Sequence, residues 1–190
     1  PATTVKYTIG TGAVDWFDTS TPTGNVLASP FDQFFFSGNT WSLETQLDWI
    51  HDQLDSVSSI TPSFVFLNVG ETHVPYWHKG AAWSRWPSPC VPFGDKNSNF
   101  KECLFRQRSC LEWVDGKLGS LLDHFRDSTV LICADHGDCW GEDGLWEHGI
   151  SHSATLTVPL LLRVRGEPIL GNYISGIRFR LRRQLSQLWI

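Results

Sequence analysis

The chain contains no methionine, no C-x-x-C pair, no internal repeat and no apolar run approaching the roughly 20 residues that a membrane-spanning helix needs. Each absence excludes something. Without the long run, no segment is expected to be transmembrane, and without paired cysteines a zinc-knuckle reading has no support. Positive charge is also scarce: Lys plus Arg is 15 against 20 for Asp plus Glu, a net charge of -5. That balance argues against a nucleic-acid surface, so any anion bound here must be held by a local site. Because the sequence opens on Pro1 and lacks methionine, a segment is expected upstream, and the lack of a signal peptide carries no weight.

What is present is apolar and aromatic. Of 190 residues, 41% are hydrophobic and there are 10 Trp and 12 Phe, enough to bury a sizeable core in one domain. The cysteines are Cys90, Cys103, Cys110, Cys133 and Cys139. Cys133 lies inside an apolar run and reads as a small buried hydrophobe. A bridge between Cys90 and Cys103 is compatible with their spacing without being required by it, which leaves the redox compartment open.

"SLETQLDWIHDQL" (42–54) sets Leu43, Leu47, Ile50 and Leu54 at helical spacing behind Ser42, a good N-cap, with Glu44 in the first turn. "FVFLN" (64–68) is short, apolar and β-prone, and reads as a buried strand that empties into a loop holding Glu71 and His73. Residues 77–100, rich in Trp, Pro, Ser, Gly and Asn, read as a long loop. From Phe105 to Phe125, Leu111, Val114, Leu118, Leu121, Leu122 and Phe125 share one face of a second helix. "STVLICA" (128–134) and "TVPLLLRV" (157–164) are further apolar strands. "KYTIGTGAVDWF" can hold a strand with a turn at Gly10 and Gly12, and "FDQFFF" is a short apolar piece. Alternating helices and near-continuous apolar strands predict an α/β layered sandwich: a mainly parallel central sheet flanked by helices. The predicted division is one α/β domain over 1–165 and an Arg-rich tail over 166–190, which packs on the domain as a strand or helix rather than lying on a membrane surface.

In open α/β sheets, ligands bind beyond the carboxyl ends of the strands. Two strands here end on acid and imidazole: one leads to Glu71 and His73, the other runs into "ADHGDCWGEDGLWEHG" (134–149). Neighbouring side chains on a regular strand point to opposite faces, so Asp135 and His136 share a ligand only if the strand breaks, as Gly137 permits. One carboxylate and one imidazole suit zinc, manganese or another hard-to-borderline divalent ion. An isolated Asp-His pair reads as an acidic turn with its imidazole bonded to backbone. The longer pattern shifts the balance, because Gly at 137, 141, 144 and 149 lets the loop return His148 to the pair.

The stretch "STVLICADHGDCWGEDGLWEHG...TVPLLLR", with "FVFLNVGETHVPY" and "CLEWVDGKLGSLLDHF", resembles the alkaline-phosphatase superfamily, within it the sulfatases, and most closely the subgroup with phosphoethanolamine transferases. The resemblance spans about residues 60–165 and implies a layered α/β fold and a metal-dependent hydrolase or transferase of a phosphate, phosphonate or sulfate ester. It implies that Asp135 and His136 bind the catalytic divalent metal. His73 and His148 would be catalytic, contacting the non-bridging oxygens of the ester or helping to hold a second ion. His136, where many sulfatases keep Asn, and His148 rather than Lys favour zinc or manganese over calcium. The partner implied is a small anionic ester.

Other residues read more plainly. His51 and His124 face solvent or cap carbonyls. His152 is the alternative to His148 and His78 the alternative to His73, each off the motif position. Lys79 and Arg85, in the loop after H-V-P, either add positive charge to the anion site or, the favoured reading, are solvated at the surface. Trp77, Trp83 and Trp86 either line a pocket or pack in the core. The family's nucleophile, a Thr, Ser or modified Cys near the start of the domain, finds no match in residues 1–60, and "CVPFG" (90–94) lacks the Arg of the sulfatase signature. After "VPLLLRV" the family's Asp turn and P-T helix are also missing. A segment lacking its upstream nucleophile is therefore expected, with little activity as it stands. A catalytically silent module for binding or assembly is the alternative.

Overall fold

The structure, a computed structural model, describes residues 6–11, 20, 22, 26 and 28–168, with 6–11 and 168 described by backbone alone. It divides into two compact units, Pro1–Thr72 and His73–Ile190, so the division falls inside the span expected as one domain. The tail beyond residue 168 lies outside the described residues, as do Gly12 and most of the segment up to 27. Among the described residues, no helix is long and apolar enough to cross a membrane.

In the first unit, β1 (Lys6–Thr11), β2 (Gln33–Phe36) and β3 (Ser63–Asn68) form a parallel sheet in the order β2-β1-β3. Thr8 stands opposite Gln33, and Lys6 opposite Ser63. Parallel neighbours need a crossover, and α1 (Leu43–Asp55) supplies one between β2 and β3. It buries Leu43, Gln46, Leu47, Ile50 and Leu54. It packs on β1 and β2, with Trp49 stacked on Phe35 at 5.4 Å between ring centroids. Alternation along β3 leaves Phe64 and Phe66 exposed, so this strand is covered on one face only and is not the fully buried strand its composition predicts.

The start of α1 is capped from a distance. Ser42 occupies the N-cap but its side chain makes no capping bond, accepting instead from Gln46 Nε2 at 3.0 Å. The open amide of Leu43 donates to Glu71 Oε1 at 2.8 Å, placing a carboxylate against the positive end of the helix. Glu71 is 1% exposed. Its burial pushes the carboxyl up from the ordinary value of 4.5, against the opposing pull of the amides it accepts from. Glu71 is therefore a capping residue of this unit.

The second unit opens with a segment, 73–99, that holds no helix or strand, as its composition predicts. It is nevertheless packed. Tyr76, Cys90, Cys103 and Cys110 form a fully buried cluster against which Val74, Trp83, Trp140 and Trp146 lie. Helix α2 (Phe100–His124) begins five residues before the predicted start, where Asn99 accepts from the Glu102 amide at 3.2 Å. Its first turns bury Cys103, Arg106, Gln107 and Cys110, a stripe of helical period made of residue types that hide it from an apolar count. Arg106 bonds Glu102 Oε1 at 2.7 Å and the Ser84 carbonyl at 3.2 Å, which ties the aromatic loop to the helix.

The predicted strands of this unit are β4 (Val130–Cys133) and β7 (Leu160–Val164), and β8 (Glu167–Pro168) continues their sheet. They pair antiparallel, Val130 opposite Arg163, unlike the parallel arrangement expected of them. The reason lies in the connection: residues 134–159 hold a hairpin, β5 (Cys139–Trp140) with β6 (Trp146–Glu147), and one helical turn, α3 (Ser153–Leu156), and no crossover helix. Along β4, Leu131 and Cys133 take the exposed face, so Cys133 is an exposed thiol and not the buried hydrophobe predicted. Cys90 and Cys103 are free thiols.

Candidate metal centre

Three of the residues singled out by sequence meet in the second unit. The rings of His136 and His148 lie 4.1 Å apart between centroids, His73 and His148 4.8 Å, and His73 and His136 5.9 Å. One nitrogen from each falls within 4.8 Å of the other two.

Local structure explains the convergence. His73 follows β3 in the loop, and His136 follows β4 where the strand has ended. Gly137 is needed there for room: a Cβ at this position would stand 2.1 Å from the Ala154 carbonyl oxygen, and its amide donates to Thr155 at 2.9 Å. The break after β4 is thus pinned to the α3 turn. His148 returns through the β5–β6 hairpin, which closes at Gly141, whose φ of +107° favours glycine and whose amide donates to Leu145 at 2.8 Å. Glu147, immediately before His148, holds φ +66°, a left-handed conformation that costs a non-glycine residue about 1–2 kcal/mol. Tyr76 does the same at φ +55°. Such outliers persist where the surroundings over-determine the backbone.

The hydrogen bonds of the three rings share one pattern. Nδ1 of His73 faces the Val74 carbonyl at 2.9 Å, and Nδ1 of His136 faces the Gly137 carbonyl at 3.0 Å. Nδ1 of His148 faces Asp138 Oδ1 at 2.7 Å. Carbonyls and an ionised carboxylate only accept, so Nδ1 carries a proton in each ring, and in the neutral imidazole the lone pair then sits on Nε2. The tautomer follows from the hydrogen-bond partners. Three imidazoles with free Nε2 atoms form a donor set suited to a divalent metal of borderline softness, and the partner on Nδ1 is the outer support that metal-binding imidazoles use.

Asp135 is 85% exposed at its side chain and stands at the edge of this group, with Oδ1 3.9 Å from His136 Nε2 and accepting the His136 amide at 3.0 Å. Glu147 lies close by. Burial pushes its carboxyl up, the His148 and His73 rings pull it down, and Asp138 adds to the upward push.

The alternative histidines are occupied elsewhere. His78 is 8% exposed, stacked on Trp113 at 5.3 Å, with Nδ1 facing the Lys79 carbonyl and Nε2 3.3 Å from Ser109 Oγ. His152 caps α3: its Nδ1 accepts from the Ala154 amide at 3.1 Å and lies 3.2 Å from Cys139 Sγ, while Nε2 meets Asp143 at 3.2 Å. Both rings have each nitrogen engaged. His51 is half-buried on α1, and the His124 ring packs on Phe125 at 4.9 Å. The tryptophans divide: Trp83 packs on the core cluster, Trp77 carries the Arg85 guanidinium at 4.8 Å, and Trp86 is exposed.

Sequence reasoning missed Asp138, whose side chain is only 4% exposed, and Tyr76, which is fully buried. Tyr76 Oη donates to Asp138 Oδ2 at 2.7 Å and accepts from Trp140 Nε1 at 2.8 Å. Burial, reinforced by the Asp138 charge, holds the phenol protonated far above its usual range. Asp138 closes the D-H-G-D stretch and Tyr76 the H-V-P-Y stretch, so each stands beside a predicted site residue, but the sequence carries no sign that the two meet. Comparison with family models, with curated proteins and with solved structures found no match.

Proposed function

We propose that this chain carries the metal- and anion-binding part of a sulfatase-like hydrolase or transferase acting on a phosphate, phosphonate or sulfate ester. The observation that carries the proposal is the convergence of His73, His136 and His148, each with Nδ1 facing an acceptor and with one nitrogen of each ring within 4.8 Å of the other two. The three imidazoles hold a divalent ion, with zinc favoured over manganese and calcium by ligand type, and Asp135 adds a carboxylate beside His136. This gives His73 and His148 a metal-holding role broader than the ester contacts the family resemblance implies. A bound ion of this kind polarises an ester oxygen and lowers the pKa of an attacking group.

The chain's own residues bind and orient. Asp138 holds the His148 ring from behind, the Val74 and Gly137 carbonyls hold the other two, and Gly137 and the β5–β6 hairpin bring their loops together. The family's layered fold with a mainly parallel central sheet belongs to the same proposal. The parallel β2-β1-β3 sheet supports it, and the antiparallel β4–β7 pair adds a mixed element.

No residue of this chain is assigned as nucleophile, so the first test is binding. Zinc titrated into the purified chain by calorimetry is expected to bind one equivalent, with Asp135→Ala, His136→Ala and His148→Ala each weakening it. Equal binding in all of them rejects the assignment. Competition by inorganic phosphate against sulfate on the zinc-loaded chain then separates the ester classes.

A further inference from the structure

The chain Trp140–Tyr76–Asp138–His148 joins four side chains through three hydrogen bonds of 2.8, 2.7 and 2.7 Å. Every link has a defined direction. The Trp140 indole can only donate, so Tyr76 Oη accepts from it and spends its single proton on Asp138 Oδ2. Asp138 accepts on both oxygens, and its second oxygen leaves the His148 Nδ1 position fit only for a donor. The carboxylate is 4% exposed and Tyr76 is fully buried, so water does not compete for either. Both oxygens are engaged, which makes Asp138 a support behind the imidazole and not a ligand in front of it.

We propose that Tyr76 and Asp138 are positioning residues that lock His148 in the Nδ1-protonated tautomer and aim its Nε2 at the cation site. The inference rests on the cation reading above and adds residues to it that no ligand count would reveal. Sequence places Tyr76 three residues after His73, so one loop supplies both a ligand and the far end of the lock on another.

The direction of the hydrogen bonds gives a test that a merely structural role would fail. In Asp138→Asn the new amide has one oxygen and one NH2 group. Tyr76, already accepting from Trp140, draws the oxygen, which turns the NH2 toward His148 and forces its proton onto Nε2. Zinc affinity is then expected to fall about 10–100-fold, the usual cost of losing an outer-shell carboxylate. Tyr76→Phe alone keeps the carboxylate and is expected to lose less. In Tyr76→Phe with Asp138→Asn the amide is free to turn its oxygen toward His148, so binding should recover relative to Asp138→Asn alone.

Long-range 15N–1H correlation spectra of the metal-free chain read the His148 tautomer directly, and circular dichroism confirms folding. The expected result is a proton on Nδ1 in the native chain and on Nε2 in Asp138→Asn, with reversion in the double variant. A native His148 protonated on Nε2, or a double variant no better than Asp138→Asn, overturns the proposal, and the native spectrum decides even if the variants fail to fold. A native chain with the expected tautomer that binds no zinc would instead reject the cation reading, leaving the positioning of the ring established.

Discussion

His148 and His152 sit four residues apart on the same loop, and the second is spent where the first is open. His152 has one nitrogen on a backbone amide and the other on Asp143, so its ring is a piece of scaffolding that stops the chain after the hairpin. His148 has one nitrogen on a buried carboxylate and leaves the other available. His73 and His78 repeat the contrast five residues apart, His78 being stacked on Trp113 with both nitrogens engaged. The difference teaches that an imidazole's function is decided by what holds its Nδ1 and whether anything occupies its Nε2.

The comparison breaks most sharply at the cation site itself. His136→Ala or His148→Ala is expected to weaken zinc binding by at least about 100-fold, more than loss of an outer-shell group, whereas His152→Ala and His78→Ala should leave it within about twofold once folding is verified, since neither is a ligand. Calorimetric titration decides, and a comparable loss in His78→Ala would erase the distinction. Gly137→Ala sharpens the point from the backbone. The added Cβ collides with the Ala154 carbonyl, and a loss of about 3 kcal/mol in urea unfolding is expected, the upper range for an overpacked site.

His152→Ala should cost stability instead of metal, about 1–2 kcal/mol for a lost cap. A native unfolding midpoint would show the cap to be dispensable.

The smallest expected effect lies in the first unit. Glu71 has a folded-state carboxyl raised above its ordinary 4.5, so its contribution is fully present below about that pH and is lost as pH climbs through the raised value. Glu71→Gln keeps an acceptor for the Leu43 amide without the buried charge. It should be stabilising by up to about 1 kcal/mol near neutrality, with the gain vanishing at pH 4. A gain that instead grows at acid pH would contradict the direction assigned to the carboxyl.

The legible parts of this chain were those with one physical cause. Helix α1 follows from Leu43, Leu47, Ile50 and Leu54 at regular spacing, and it forms over nearly the residues predicted. The histidines at 73, 136 and 148 were legible through strand ends, the glycines that let a loop turn back, and above all the resemblance of their motifs to those of the sulfatases, which separated them from His78 and His152. The start of α2 was hidden because its buried stripe is Cys103, Arg106, Gln107 and Cys110, residues that lower an apolar count even as they pack. Strand direction was hidden as well, since an apolar run carries no record of the partner it pairs with. The Tyr76–Asp138 bond joins residues 62 positions apart, and nothing local to either announces it.

The exposed position of Cys133 offers a handle on the molecule. The other four thiols are sealed inside the protein, whereas this one faces outward two residues before Asp135. A maleimide dye would therefore label the native fold at a single cysteine, at the end of the strand that leads into Asp135 and His136, without touching the imidazoles themselves.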